Sequence, residues 1–130
     1  MSAPAFLAKA HRALATARVD AAAGDAEAAV NRAYYAAFYA ATAALLAENE
    51  RPKTHAGLHA RFFAAFVATG RVAQPVAETL RFAFNARQKA DYEAFTVFDE
   101  AAALDLVRDA AAFVEAVERV LERAADVSRS

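Results

Sequence analysis

The chain has 130 residues, no cysteine, and 15 basic against 16 acidic side chains, for a formal charge of -1. That length suits one domain, residues 1 to 130, around one core. The lack of cysteine excludes disulfides, thiolate metal sites and a cysteine nucleophile, and the balanced charge excludes a strongly basic nucleic-acid binder while leaving room for a local basic groove. In chain order, a first helix is predicted from Pro4, a favoured first-turn residue, to about Ala23, where Gly24 stops it. Phe6, Leu7, Leu14 and Val19 form its weak apolar face. The N-terminus lacks the basic and apolar regions of a signal peptide. No stretch has the run of apolar residues that a membrane span needs, so a soluble, cytoplasmic protein is expected.

Residues 27 to 47 organise the chain. They contain neither Gly nor Pro and are mostly Ala, the best helix former, which predicts a long central helix. Asp25 can cap it, and it is expected to reach about Glu50, with Arg51-Pro52 as its stop. At about 100° per residue, Asn31, Tyr35, Phe38, Thr42, Leu45 and Leu46 share a face expected to be core, with Arg32 and Tyr39 along its edge. Thr54 then caps a third helix, residues 55 to 69, with Leu58, Phe62, Phe63 and Phe66 inward and Gly70 at its end.

A fourth helix is predicted from Gln74-Pro75 to about Glu93. Leu80, Phe84, Arg87 and Asp91 share one face, and Arg81, Asn85, Gln88 and Tyr92 form a polar strip beside it. After a linker at residues 94 to 97, Asp99 caps a last helix, residues 100 to 126. Leu106, Ala110, Phe113, Val114, Val117 and Leu121 face inward, and Asp105, Arg108, Glu115, Glu122 and Arg123 face solvent. Without strand-like alternation or repeats, the pattern predicts an all-α, up-and-down antiparallel bundle of four main helices plus an accessory helix.

Four blocks carry a resemblance: Arg32-Ala-Tyr-Tyr-Ala-Ala-Phe-Tyr-Ala-Ala, Lys53-Thr-His-Ala-Gly-Leu, Phe63 with Gly70, and Leu80 with Ala86-Arg-Gln-Lys-Ala-Asp-Tyr92. In this order and spacing the chain resembles the HEPN domain family, in its small stand-alone prokaryotic branch. The resemblance implies an all-α bundle that forms a homodimer. It also implies a place in a toxin and antitoxin module beside a minimal nucleotidyltransferase, and in many members a metal-independent endoribonuclease with no cofactor. The family's motif is an Arg and a polar residue with a His following the Arg after four to six intervening residues. Arg87 and Gln88 match its start, but Tyr92, Glu93 and Ala94 stand where the His belongs.

The candidate catalytic set is therefore Arg87 as cation with Asp91 and Tyr92, and the candidate RNA- or nucleotide-binding set is Arg32, Tyr35, Lys53, His55 and Gln88. Tyr92, with an ordinary pKa of about 10, is a poor base at pH 7, and loss of a positioned His costs about 10² to 10⁴ in rate. Asp91 can serve as base, or His55 if the fold returns it to Arg87. Lys53 and Arg51 precede a helix N-terminus, where free backbone N–H groups favour anions. The same residues have a structural reading: Arg87 and Asp91 as an i, i+4 ion pair, and Tyr35, Tyr39 and Tyr92 as its hydrogen-bonding neighbours. His55 and His59 have i, i+4 spacing but no third ligand on that helix, so no metal site is expected. Two other functions fit the same fold, a non-catalytic interaction module and a nucleotide-binding regulatory subunit.

Overall fold

A computed structural model describes residues 2 to 92 and 99 to 129. The linker expected at residues 94 to 97, and the Glu93 and Ala94 positions of the motif, lie outside the described residues. Among the described residues five α-helices make up the bundle: α1 (Ala3–Ala22), α2 (Ala26–Ala47), α3 (His55–Phe62), α4 (Gln74–Tyr92) and α5 (Glu100–Arg129). Helix α2 packs against α1, α4 and α5, and α5 also touches α1 and α4, so α2 is the central post and short α3 the accessory element.

The first two helices meet through a tight reversal. Asp25 N–H donates to Asp20 O and Gly24 N–H to Ala21 O, the paired bonds of a left-handed helix stop, and Gly24 has the positive φ of 81° that this stop requires. Asp25 then accepts from Ala28 N–H at 3.1 Å and starts α2. The end of α2 repeats the device with Asn49 at φ 61°, so the helix closes at Ala47, before the proline that was expected to end it. Glu50 N–H and Asn49 N–H return to Leu45 O and Leu46 O.

Alanine sets how closely these helices approach. Ala10, Ala13 and Ala17 of α1 and Ala29, Ala33, Ala36, Ala37, Ala40, Ala41 and Ala44 of α2 are all buried. The inward face of α2 is this Ala surface with Val30, Tyr34 and Leu45. The stripe expected to be core is corrected accordingly. Of its members only Leu45 is fully buried, while Asn31, Tyr35, Phe38, Thr42 and Leu46 are half-buried along the rim. Small side chains let neighbouring helices press against the Ala face, and the bulkier residues are turned toward the edge. Val19 is likewise corrected, being 66% exposed rather than part of an apolar face.

Helix α3 is shorter than expected because its last turn widens into a π-helical segment, Phe63–Val67, in which Ala68 N–H reaches Phe63 O at 2.9 Å. Phe62 and Phe66 are buried there and pack with Phe113 of α5, ring centroids 5.1 and 5.2 Å from Phe62. The ion pairs Arg61–Glu50 and Arg71–Glu48 strap this region to the end of α2. The α5 face is as expected, with Leu121 only half-buried.

Candidate functional site

The site grows around Tyr34, which is fully buried on α2. Its hydroxyl lies 2.6 Å from His55 Nδ1, and His55 stacks on it and on Phe38 at centroid distances of 5.9 and 4.7 Å. Phe84 of α4 and His59 of α3 close the cage, their rings 5.5 and 6.4 Å from that of Tyr34. Burial raises the Tyr34 pKa far above its ordinary value, opposed in part by the Arg87 charge, so the side chain stays a neutral phenol. Burial and then Arg87 lower the His55 pKa below its ordinary 6.5, and His55 is neutral at pH 7.

Why His55 stands here is set by the turn before it. Thr54 Oγ1 accepts from Gly57 N–H at 2.9 Å and caps α3. A Cβ added at Gly57 would come within 2.9 Å of that same oxygen, so the Thr-His-Ala-Gly order is what the cap needs to aim the imidazole at Tyr34. Lys53 stands exposed beside the cap and has no hydrogen bond or ion pair among the described residues. Of the first-turn amides, that of Gly57 is thus committed to the Thr54 side chain.

Arg87 enters the cage from α4. Its guanidinium carbon lies 5.3 Å from the Tyr34 ring centroid, 5.5 Å from Tyr35 and 5.8 Å from Phe84. Nη1 donates to the Tyr35 hydroxyl at 3.4 Å and to Asp91 Oδ2 at 3.2 Å. The expected i, i+4 pair with Asp91 is therefore formed. The Arg87 side chain is only 18% exposed and Asp91 45%, and Arg87 Nε is buried with no hydrogen-bond partner among the described residues. His55 and Arg87 come from helices 32 positions apart in sequence but share Tyr34 and Phe84 as neighbours. His55 is half-buried, and its Nε2 has no hydrogen-bond partner among the described residues.

The other expected residues are divided. Arg32 also lies near Tyr35, its guanidinium carbon 5.1 Å from the ring centroid, with Nε and Nη2 donating to Asn31 Oδ1. Arg32 and Asp91 also line an open cleft of about 470 Å³ with Asp20, Asp25, Glu27 and Asn31, an acidic wall ill suited to a polyanion. Gln88 is half-buried and Tyr92 is 83% exposed at the end of α4, and neither has a hydrogen-bond partner among the described residues. Tyr92 therefore stands apart from the Arg87 cage. Tyr34, Phe84 and Gly57 were not singled out as site residues by sequence reasoning. The adjacent tyrosines at 34 and 35 were the available signal.

His59 adds a cost to the same cage. Its Nε2 is buried and has no partner among the described residues, its ring lies edge-on to Phe84 at 5.1 Å, and burial, His55 and Arg81 all lower its pKa. Because both histidines bind protons less well folded than unfolded, the unfolded state gains protons as pH falls through 6.5, and stability falls with it until the folded pKa values are passed. His59→Leu is expected to raise stability by about 1 kcal/mol and to flatten this acid loss between pH 7 and 5, read by urea melts at both pH values. A variant less stable than wild type at both would show that the ring has a polar partner.

The HEPN domain family model matches residues 3–120. The chain belongs to the HEPN domain family. Among relatives, a "UPF0332 protein" of Thermotoga maritima is 37% identical over 94 residues, covering 72% of this chain and 71% of the relative. A protein of Methanocaldococcus jannaschii named "Putative toxin" is 36% identical over 94 residues, covering 72% of this chain and 69% of its own length. A second so named from the same organism is 39% identical over 66 residues, covering 51% of this chain and 45% of the relative. This HEPN domain is thus similar to proteins named as toxins, and its all-α bundle is the one expected. Among the described residues no group of three or more His, Cys, Asp or Glu could hold a metal ion, and no helix is long and apolar enough to cross a membrane.

Proposed function

We propose that this HEPN domain is the toxin-like half of a two-component module, and that it binds RNA at the Arg87 cage and cleaves it without metal. The observation that carries the reading is the convergence of Arg87 and neutral His55 on Tyr34: an imidazole from α3 reaches the place beside the motif arginine that no histidine of α4 supplies. In the reaction, the 2′-oxygen attacks the adjacent phosphorus, its proton passes to a base, and the bond to the 5′-oxygen breaks as that oxygen takes up a proton. The products are a 2′,3′-cyclic phosphate and a 5′-hydroxyl.

His55 is the base in this reading. The Tyr34–His55 bond admits either tautomer, and the base form is the one in which Nδ1–H donates to the Tyr34 oxygen so that Nε2 keeps its lone pair. Arg87, held rigidly by three rings, offsets charge developing on phosphorus. Asp91 is engaged with Arg87 and serves to orient it. The homodimer and a nucleotidyltransferase partner belong to the same proposal. The exposed side chains of Phe82 and Tyr92 on α4, 64% and 83% open, support a protein contact there.

A second reading has its own support. Arg87 is mostly buried and internally paired, as a purely structural arginine in a non-catalytic interaction module would be. RNA cleavage by wild type and Arg87→Ala, in chelator and with circular dichroism to establish folding, separates the two. Cleavage that is lost in the folded variant is expected. No cleavage by folded wild type would overturn the nuclease and leave the interaction module.

A further inference from the structure

We infer that the groove between α1 and α2 is a track for single-stranded RNA leading to Arg87, an inference that rests on the RNA-binding part of the proposed function. The groove, about 280 Å³, is lined by Lys9, Arg12, Ala13, Thr16, Arg32 and Tyr39, three cations with no acidic residue. None of the three cations forms an ion pair among the described residues, although seven other basic side chains do. In a protein of net charge -1, an edge of unneutralised cations is a local arrangement rather than a reflection of composition.

The cations are interleaved with rings. Lys9 Nζ lies 4.6 Å from the Tyr39 centroid and 5.5 Å from that of Phe6. Tyr39 is 5.7 Å from Tyr35, and the guanidinium carbons of Arg32 and Arg87 lie 5.1 and 5.5 Å from the Tyr35 centroid. Lys9, Tyr39, Tyr35 and Arg87 thus form one continuous path from α1 across the rim of α2 to α4. Cations that meet phosphates, alternating with aromatic faces on which bases stack, are the elements of sequence-tolerant single-strand binding. A duplex would hide those base faces. On the far side of Arg32, Asp20, Asp25 and Glu27 repel a polyanion, so a strand is confined to the tyrosine path.

The test measures anisotropy of a fluorescein-labelled, 2′-O-methylated 12-nucleotide RNA, which cannot be cleaved, in chelator across a salt series. Wild type, Lys9→Ala/Arg12→Ala, Arg87→Ala and Arg18→Ala are compared, with circular dichroism on each. Arg18 is exposed on α1, about 180° around the helix from Lys9. The double variant is expected to bind roughly 10- to 100-fold more weakly at 0.1 M salt, with the slope of log K against log salt reduced by about 1.4, two single-strand phosphate contacts. Arg18→Ala is expected to match wild type. Binding by the double variant equal to wild type, with Arg87→Ala weakened, would overturn the track and leave the Arg87 reading intact. An Arg18→Ala loss of half or more of the double variant's loss in log K would also overturn it, since the attraction would then be diffuse. No RNA binding by folded wild type would overturn both.

Discussion

Tyr34→Ala is expected to cost about 3–5 kcal/mol, against about 1 kcal/mol for Tyr34→Phe. The ring is fully buried and bridges three helices, touching Phe38 of α2, His55 and His59 of α3, and Phe84 and Arg87 of α4. Truncation opens a cavity that stiff helices cannot close. It also leaves a guanidinium and two imidazoles beside empty space. A domain of this size holds together by roughly 5–15 kcal/mol, so the alanine variant should be near the edge of folding. Phenylalanine keeps the packing and removes only the hydroxyl, leaving His55 Nδ1 without its 2.6 Å partner. Urea unfolding of the three proteins checks both values, and a cost below 1 kcal/mol for the alanine variant would refute the bridging role.

The largest kinetic effect is expected at His55. With the imidazole as base, His55→Ala should lower the single-turnover rate of RNA cleavage by about 10² to 10⁴ while the fold survives. The pH profile has a definite sign. The base works when unprotonated, so the rate climbs with pH and levels off above the His55 pKa. Burial and the Arg87 charge hold that pKa below 6.5, which puts the plateau below neutrality. Arg87→Ala removes one of those two causes, and the His55 ring should then titrate at higher pH, read by the NMR shift of its Cε1 proton even in an inactive protein. A profile still rising above pH 7.5, or a His55 titration indifferent to Arg87, would point to another base.

Much of this architecture follows from local rules. Asp25 and Thr54 cap helices because their short side-chain oxygens satisfy first-turn amides, and both caps form where expected. The Arg87–Asp91 pair follows from four-residue spacing alone. Tyr34 escaped the same reasoning because an angular map is drawn by bulky residues, and on α2 the buried face is made of alanines that add little to it. The map therefore favoured Tyr35 and Phe38, which the structure places on the rim. Lys53 stands exposed two residues before His55. The meeting of His55 with Arg87 depends on how α3 folds back over α2 and α4, a tertiary fact that no spacing within either helix encodes.

The π-helical turn at Phe63–Val67 bears on how relatives are to be aligned. A five-residue hydrogen-bonded step accommodates one more residue than an α-turn over the same length of axis. A relative with an uninterrupted α-helix there should be one residue shorter between the counterparts of His59 and Gly70. Aligned without a gap, its phenylalanines would be read one position out of phase. The count of residues in that interval is therefore a ruler, readable from a bare sequence, for which HEPN chains share this rotation of the accessory helix against the post that carries Tyr34.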